Sequence, residues 1–85
     1  MASYNVLIKP SATKELEAIP QKDRLRVVTK IRSLADNPRP IGCEKLSGRE
    51  EYRLRQGRYR VVYSVSDPDQ TVLIVKIAHR REVYR

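Results

Sequence analysis

The chain has 85 residues, a formal net charge of +8 and one cysteine, Cys43. A chain of this length buries only about 60% of its unfolded surface, which allows one small domain over residues 1–85 and excludes a second. A hydrophobic fraction of 40% with 33% charged residues favours a globular chain, while the single cysteine excludes a disulfide framework and no Cys/His group has zinc spacing.

The amino-terminal half of the sequence predicts one strand and two helices. Apolar residues alternate from Tyr4 to Ile8 and end at a proline, as in a short strand. A first helix is predicted over Ala12–Ile19 with Ser11 as its cap, and a second over Gln21–Asp36. The apolar face of the second helix would be built from residues spaced by three and four, namely Leu25, Val28, Ile31 and Leu34, with Val27 and Ala35 beside them.

The carboxy-terminal half predicts three strands after a loop over Arg39–Glu51 that contains Cys43 as a small packing residue. Tyr52–Arg55 and Arg58–Val65 form a predicted hairpin around a Gln56-Gly57 turn, and Thr71–Ala78 forms the last strand. The order β-α-α-β-β-β predicts an α+β domain in which two helices pack on one face of a mainly antiparallel four-stranded sheet.

Alternation along the hairpin separates arginines from apolar residues. With the predicted turn, Arg55 would face Arg58 and Arg53 would face Arg60, all on one side of the sheet. The opposite face of the sheet would pack against the helices through its apolar side chains, namely Tyr52, Leu54, Tyr59, Val61, Tyr63 and Val65. We expect truncation of Arg60 to spare the fold, because the predicted arginine face lies away from the core.

The last strand would widen this basic face. If Leu73, Val75 and Ile77 face the helices, Lys76 and Arg80 fall on the arginine side. Directly opposed like charges cost about 0.2–1 kcal/mol each, so such a face indicates a binding surface for a polyanion. The alternative is a solvated face whose arginines prevent edge-to-edge aggregation.

Two residues near the end of the chain allow two interpretations each. His79 follows the last strand and is either a surface or packing residue or a proton acceptor. Tyr84, among basic residues, could stack on an unpaired base or cover the sheet edge with its ring.

The charge predicts a nucleic acid or an acidic protein as the partner. The chain has no basic segment followed by an apolar signal core, and no apolar run long enough to span a bilayer. We therefore expect a cytoplasmic protein that does not bind a membrane.

Four segments together resemble the RelE/ParE toxin superfamily, and the resemblance covers almost the whole chain. They are LSG at 46–48, YRLR at 52–55, GRYRVVY at 57–63 and IAHRREVY at 77–84. The similarity to RelE-type members implies the toxin of a type II toxin-antitoxin system, an endoribonuclease that cuts mRNA in the ribosomal A site. It also implies attack by a ribose 2′-hydroxyl, products with 2′,3′-cyclic phosphate and 5′-hydroxyl ends, and no metal or other cofactor. The implied partners are the ribosome, mRNA and a cognate antitoxin.

The resemblance also implies roles for individual residues. The implied catalytic set is Arg53, Arg55, Arg60, Arg80 and Tyr84. The implied RNA-binding set is Arg53, Arg55, Arg58, Arg60, Lys76, Arg80 and Arg81. Some relatives have a lysine proposed as general base at the position of Arg55, whereas arginine keeps its proton in proteins. The base is therefore unassigned, with His79 as a candidate.

Two other functions remain open for this sequence. A gyrase-poisoning toxin would share the fold, because the YRVVY strand at 59–63 occurs in both branches of the superfamily. A non-catalytic RNA-binding module would use the same basic face without cleavage.

Overall fold

A computed structural model of the protein describes residues 3–46 and 50–79. Its elements in chain order are β1 (Asn5–Ile8), α1 (Pro10–Glu17), α2 (Gln21–Ser33), β2 (Glu44–Lys45), β3 (Glu51–Gln56), β4 (Tyr59–Ser66) and β5 (Thr71–His79). The strands form one sheet in the order β1-β5-β4-β3-β2, with β1 parallel to β5 and the other neighbours antiparallel. The predicted α+β fold is confirmed, and β2 is a short fifth strand inside the segment predicted to be a loop.

Helix α1 begins two residues earlier than the sequence suggested. Pro10 occupies its first turn, where a fixed φ and a missing N–H are no disadvantage. Lys9 is the N-cap residue and makes no side-chain capping bond, so the prediction that Ser11 caps this helix was wrong. Ala12 is fully buried and lets the helix approach the sheet closely.

Helix α2 buries a narrower face than predicted. Val27, Ile31 and Leu34 are buried, whereas Leu25 is 59% exposed and Val28 is half-buried. At 3.6 residues per turn, Leu25 lies about 160° around the helix from Val27 and cannot share its face. Residues spaced by three shift progressively around a helix and do not stay on one face. The predicted apolar face was therefore right for Ile31 and Leu34 but wrong for Leu25.

The β3–β4 hairpin turns one residue later than predicted. Its turn residues are Gly57 and Arg58, and Gly57 has φ +60°, a conformation that favours glycine. Arg55 therefore pairs with Arg60, not Arg58, and Arg53 pairs with Val62. Moving the turn by one residue shifts each cross-strand pair by two residues. Because side chains alternate with a period of two, every side chain stays on its predicted face.

Strand β5 contains a register shift that the sequence did not reveal. Tyr63 pairs with Ile74 while Val62 pairs with Lys76, which leaves Val75 as an extra residue. A bulge of this kind reverses the alternation along the strand. Val72 and Ile74 are therefore buried together with Ile77, and the prediction that Leu73 and Val75 face the helices was wrong.

One hydrophobic core lies between the helices and the sheet. The residues buried there come from both helices, from Ile19 and Leu34 next to them, and from β3, β4 and β5; Cys43 packs against them half-buried. Tyr52 and Tyr63 stack with ring centroids 5.7 Å apart. The Tyr63 hydroxyl donates a 2.8 Å hydrogen bond to the carbonyl of Pro38, which anchors the loop after α2 to the core. No helix within the described ranges is long and apolar enough to cross a membrane.

Candidate functional site

The face of the sheet opposite the helices carries the arginines of the hairpin. Residues that pair directly across antiparallel strands point to the same face. One row across this face runs from Glu44 through Arg53 and Val62 to Lys76. The next row contains Arg55, Arg60 and Ala78. The strand register thus brings Arg53, Arg55 and Arg60 together on adjacent strands.

These arginines open into a cavity of about 320 Å³, which we call the arginine groove. It is lined by Lys30, Ile41, Gly42, Glu44, Arg53, Leu54, Arg55 and Arg60. Because β2 pairs only with Tyr52 and Arg53, the end of β3 is left uncovered by a neighbouring strand. The groove forms at this open edge of the sheet, so Lys30 of α2 and Leu54 of the core face also line it. Four of its eight lining residues are cations and one is a carboxylate, so the groove is suited to an anion with several oxygens.

The three arginines of the groove differ in exposure. Arg55 is exposed, Arg53 is half-buried, and Arg60 is only 3% exposed on the central strand β4. Burying a guanidinium is costly, and although Arg60 interacts with neighbouring groups, its buried Nε atom has no hydrogen-bond partner. Arg60 is thus buried rather than solvated, and its truncation is now predicted to destabilise the fold instead of sparing it. Its burial holds the guanidinium in a fixed position beneath the groove.

One carboxylate lies among these cations. Glu44 Oε1 is 3.2 Å from an Nη atom of Arg53 and pairs with it across β2 and β3. The sequence predicted a loop over this segment and did not indicate Glu44 as a site residue, because two residues of strand are too short to show alternation. It also missed Lys30, which the sequence shows only as one charge on the polar side of α2.

The loop that delivers Glu44 and Ile41 is fixed by a polar network at its start. Arg39 donates two hydrogen bonds to the Asp67 carboxylate, at 3.1 and 2.9 Å, and a third from Nε to the Tyr52 hydroxyl at 2.8 Å. Tyr4 donates a further 2.7 Å bond to Asp67. Hydrogen bonds from Arg39 and Tyr4 lower the pKa of the Asp67 carboxyl, and the same carboxylate raises the pKa of Tyr4.

Two of the other predicted site residues are described by the structure, and neither lines the groove. Lys76 lies on the arginine face, but its ammonium is 3.0 Å from Glu15 of α1. Arg58 is exposed in the hairpin turn. The predicted positions Arg80, Arg81 and Tyr84 lie outside the described residues.

His79 lies on the opposite face of the sheet from the arginine groove. It pairs with Tyr59, and the two rings meet edge to face with centroids 5.5 Å apart. Both line a separate cavity of about 290 Å³ beside α1, together with Glu15 and Ile19. The structure therefore does not bring the candidate base His79 to the arginines. Residues 3–46 and 50–79 contain no group of three or more His, Cys, Asp or Glu side chains arranged to hold a metal ion.

Comparison with known proteins gives a consistent result for sequence and fold. Residues 6–84 match the family model described as the ParE toxin of the type II toxin-antitoxin system parDE. A putative toxin RelE1 from Methanocaldococcus jannaschii is 33% identical over 86 residues, which cover 96% of this chain and 96% of that protein. A toxin RelE from Mycobacterium tuberculosis is 33% identical over 84 residues, which cover 96% of this chain and 87% of that protein.

Among solved structures, the toxin-antitoxin complex RelBE2 of M. tuberculosis contains a chain that superposes with a TM-score of 0.83 at 26% identity, covering 94% of both chains. The archaeal RelE-RelB complex from Pyrococcus horikoshii OT3 gives a TM-score of 0.81 at 30% identity, covering 92% of this chain and 96% of the other. Similarity over nearly the full length of both partners means that the whole domain is shared.

Proposed function

The chain belongs to the RelE/ParE superfamily of toxins from type II toxin-antitoxin systems, and we propose that it is a ribosome-dependent endoribonuclease that cuts mRNA in the A site. The observation that carries this proposal is the meeting of Arg53, Arg55 and Arg60 in one groove with Lys30. Three guanidinium groups offer many N–H donors in planar pairs, which match the oxygens of a phosphodiester.

The proposed reaction is an in-line transfer of the phosphoryl group within the RNA strand. The ribose 2′-oxygen attacks the adjacent phosphorus and the bond to the 5′-oxygen breaks, which leaves a 2′,3′-cyclic phosphate and a 5′-hydroxyl. Arg53 and Arg60 hold the scissile phosphate, and Arg55 stabilises charge that develops on its oxygens. Arg80 would neutralise the leaving oxygen and Tyr84 would orient the base by stacking. No metal is required in this scheme.

Most of the rate would come from positioning and electrostatics. The buried guanidinium of Arg60 cannot swing into solvent, so its donors stay aimed at the phosphate without reorganising. The isolated protein would cut slowly, because the ribosome supplies the orientation of the mRNA. This requirement for ribosomes implies a cytoplasmic site of action.

We also propose that an antitoxin controls this activity. The structural neighbours from M. tuberculosis and P. horikoshii were solved as complexes of a toxin with its antitoxin. With a formal net charge of +8, this chain would attract an acidic or amphipathic partner that covers the arginine face and excludes RNA.

Primer extension on an mRNA translated in a cell-free system tests the function. We expect breaks at fixed positions within codons, with 5′-hydroxyl ends, only when ribosomes are present. Intact mRNA together with DNA breaks in a purified gyrase reaction would instead identify a gyrase poison. RNA binding without breaks in either nucleic acid would identify a non-catalytic binding module.

A further inference from the structure

We propose that Ile41, at the edge of the arginine groove, packs against the face of a nucleobase next to the scissile phosphate. This inference rests on the proposed nuclease function and adds an apolar contact to a site otherwise built from charges. It depends on the exposure of Ile41, the turn that holds it and the groups that line the groove with it.

Ile41 is an aliphatic residue that the fold leaves wholly in water. Its exposed fraction is 103%, and the next most exposed large hydrophobic residue among those described is Leu25 of α2, at 59%. Single exposed apolar residues are common on protein surfaces and need no ligand to explain them. Ile41 is distinguished by its place, because it lines the arginine groove. Among the described lining residues it is the one exposed apolar side chain, since Leu54 is buried in the core.

A tight turn presents Ile41 at this position. The Cys43 N–H donates a 3.1 Å hydrogen bond to the carbonyl of Pro40, which closes the turn around Ile41 and Gly42. Gly42 has φ +99°, a conformation that a type II turn requires at its third residue. The hydrogen bonds of Arg39 hold the chain before the turn, and Cys43 packs against the core after it. The backbone on both sides of Ile41 is therefore fixed.

The space next to Ile41 is open to a ligand. Gly42 lines the same groove. Apart from its chain neighbours, no protein atom lies within 4 Å of the position that a Cβ on Gly42 would take. A flat ring can therefore approach the turn closely and cover the Ile41 side chain.

The charges around Ile41 favour RNA as the source of this ring. Four cations line the groove with it, namely Lys30, Arg53, Arg55 and Arg60. Such groups bind phosphates, and the sugars on either side of a bound phosphate carry bases. In an unpaired strand the faces of these bases can be covered by side chains. One apolar residue beside four cations suits a base with its phosphate, whereas an amphipathic helix needs several apolar contacts at helical spacing.

The contact would position the RNA strand for the proposed attack. Cations alone hold a phosphate but leave the nucleotides on either side free to rotate. A base packed on Ile41 fixes one of these nucleotides relative to the scissile phosphate, and such positioning contributes to the rate of an in-line transfer. Because the gain grows with the apolar area covered, the larger face of a purine should be preferred over a pyrimidine at this position.

The test measures single-turnover cleavage of short synthetic mRNAs on programmed ribosomes by the parent, Ile41→Ala, Ile41→Leu and Leu7→Ala. Leu7→Ala removes the same number of carbons from an exposed residue of β1, at the opposite end of the strand order from β3 and β2. We expect Ile41→Ala to cut about 4–16-fold more slowly, since one or two of the removed carbons would be covered, at about fourfold each. Ile41→Leu should keep most of the rate, and Leu7→Ala should match the parent.

Two further measurements separate a contact with a base from a structural effect. The thermal melt of Ile41→Ala should equal that of the parent, because the residue is exposed. Its affinity for ribosomes should also change little, because no charge is lost. Lower ribosome affinity with unchanged cleavage of the bound mRNA would place Ile41 against the ribosome and overturn the inference.

An mRNA with an abasic nucleotide identifies the contact directly. The base is removed on one side of the scissile phosphate and then on the other, while the ribose 2′-hydroxyl is kept. At one of the two positions the parent should slow and Ile41→Ala should slow much less, because both changes remove the same contact. Ile41→Ala should also show a weaker purine preference there. Full and equal losses in both proteins at both positions would contradict the contact.

Failure of the two proposals can be told apart. If the parent makes codon-aligned breaks and Ile41→Ala cuts at the same rate, the nuclease function stands and Ile41 does not bind a base. If the parent makes no breaks, both proposals fail together.

Discussion

At Arg60 the exposure expected from the sequence differs from the burial seen in the structure, and this difference changes the predicted effect of a mutation on stability. Alternation placed it correctly on the arginine face, but a pattern of faces cannot show that a position on the central strand is covered. We expect Arg60→Ala to lower the free energy of unfolding by about 1–3 kcal/mol, because truncation removes a side chain that is only 3% exposed and leaves a cavity. Urea denaturation measures this, with exposed Arg55→Ala as the control. Equal stability of both variants and the parent would mean that Arg60 is not held as described.

Asp67 gives a pH-dependent prediction at the same scale. Hydrogen bonds from Arg39 and then Tyr4 lower its folded-state pKa. A lowered carboxyl pKa stabilises the fold above the ordinary aspartate value of about 3.9 and loses that contribution as the pH falls through the folded-state pKa. The parent should therefore be more stable than Asp67→Asn at pH 7, and the difference should vanish in strong acid. A difference that persists unchanged in thermal melts at low pH would contradict this.

At the scale of elements, helix α2 separates buried from exposed apolar residues. Ile31 is buried against the sheet, whereas Leu25 is 59% exposed. Ile31→Ala should cost about 2–5 kcal/mol, because it removes buried methyl groups and leaves a cavity. Leu25→Ala should stay within about 0.5 kcal/mol of the parent. Thermal melts of the two variants test the assignment, and a reversed order of their melting temperatures would show that the helix is rotated.

The sequence was sufficient for the order of the two helices and the four longer strands and for the two faces of the hairpin, because a period of two and a glycine turn leave few alternatives. It was insufficient for β5. That strand is apolar almost throughout, so neither alternation phase was excluded, and the shift at Val75 depends on contacts with β4. The sequence also could not reveal β2, which exists through pairing with Tyr52 and Arg53 rather than through its own composition.

Part of the candidate site could also be predicted from the sequence, and part could not. Arg53, Arg55 and Arg60 could be placed together from alternation alone, because a shift of two residues in the pairing leaves the faces unchanged. Glu44 and Lys30 reach the groove from other parts of the chain, and only the tertiary structure shows them there. The candidate base His79 is near the arginines in sequence, but the structure places it on the other face of the sheet, against Tyr59.

For the whole molecule, the net charge of +8 would make the proposed association with RNA depend on salt. Each phosphate contact releases counterions and adds a slope of order one to the dependence of log affinity on log salt concentration. We expect ribosome binding to weaken steeply with potassium chloride, and Arg55→Ala to reduce the slope by about one. Affinity that does not change with salt would argue against the arginine groove as the RNA-binding surface.

The most direct test of the nuclease account is mRNA cleavage by Arg55→Ala. Arg55 is exposed, so its truncation should leave the thermal melt unchanged. Arg32→Ala is the matched control, since Arg32 is exposed on α2 and does not line the groove. Loss of one cation aimed at the phosphoryl transition state should slow cleavage on programmed ribosomes by about 10²–10³-fold, while ribosome binding falls far less. The control should cut like the parent. If folded Arg55→Ala also cuts at the parent rate, the arginine groove is not the catalytic site.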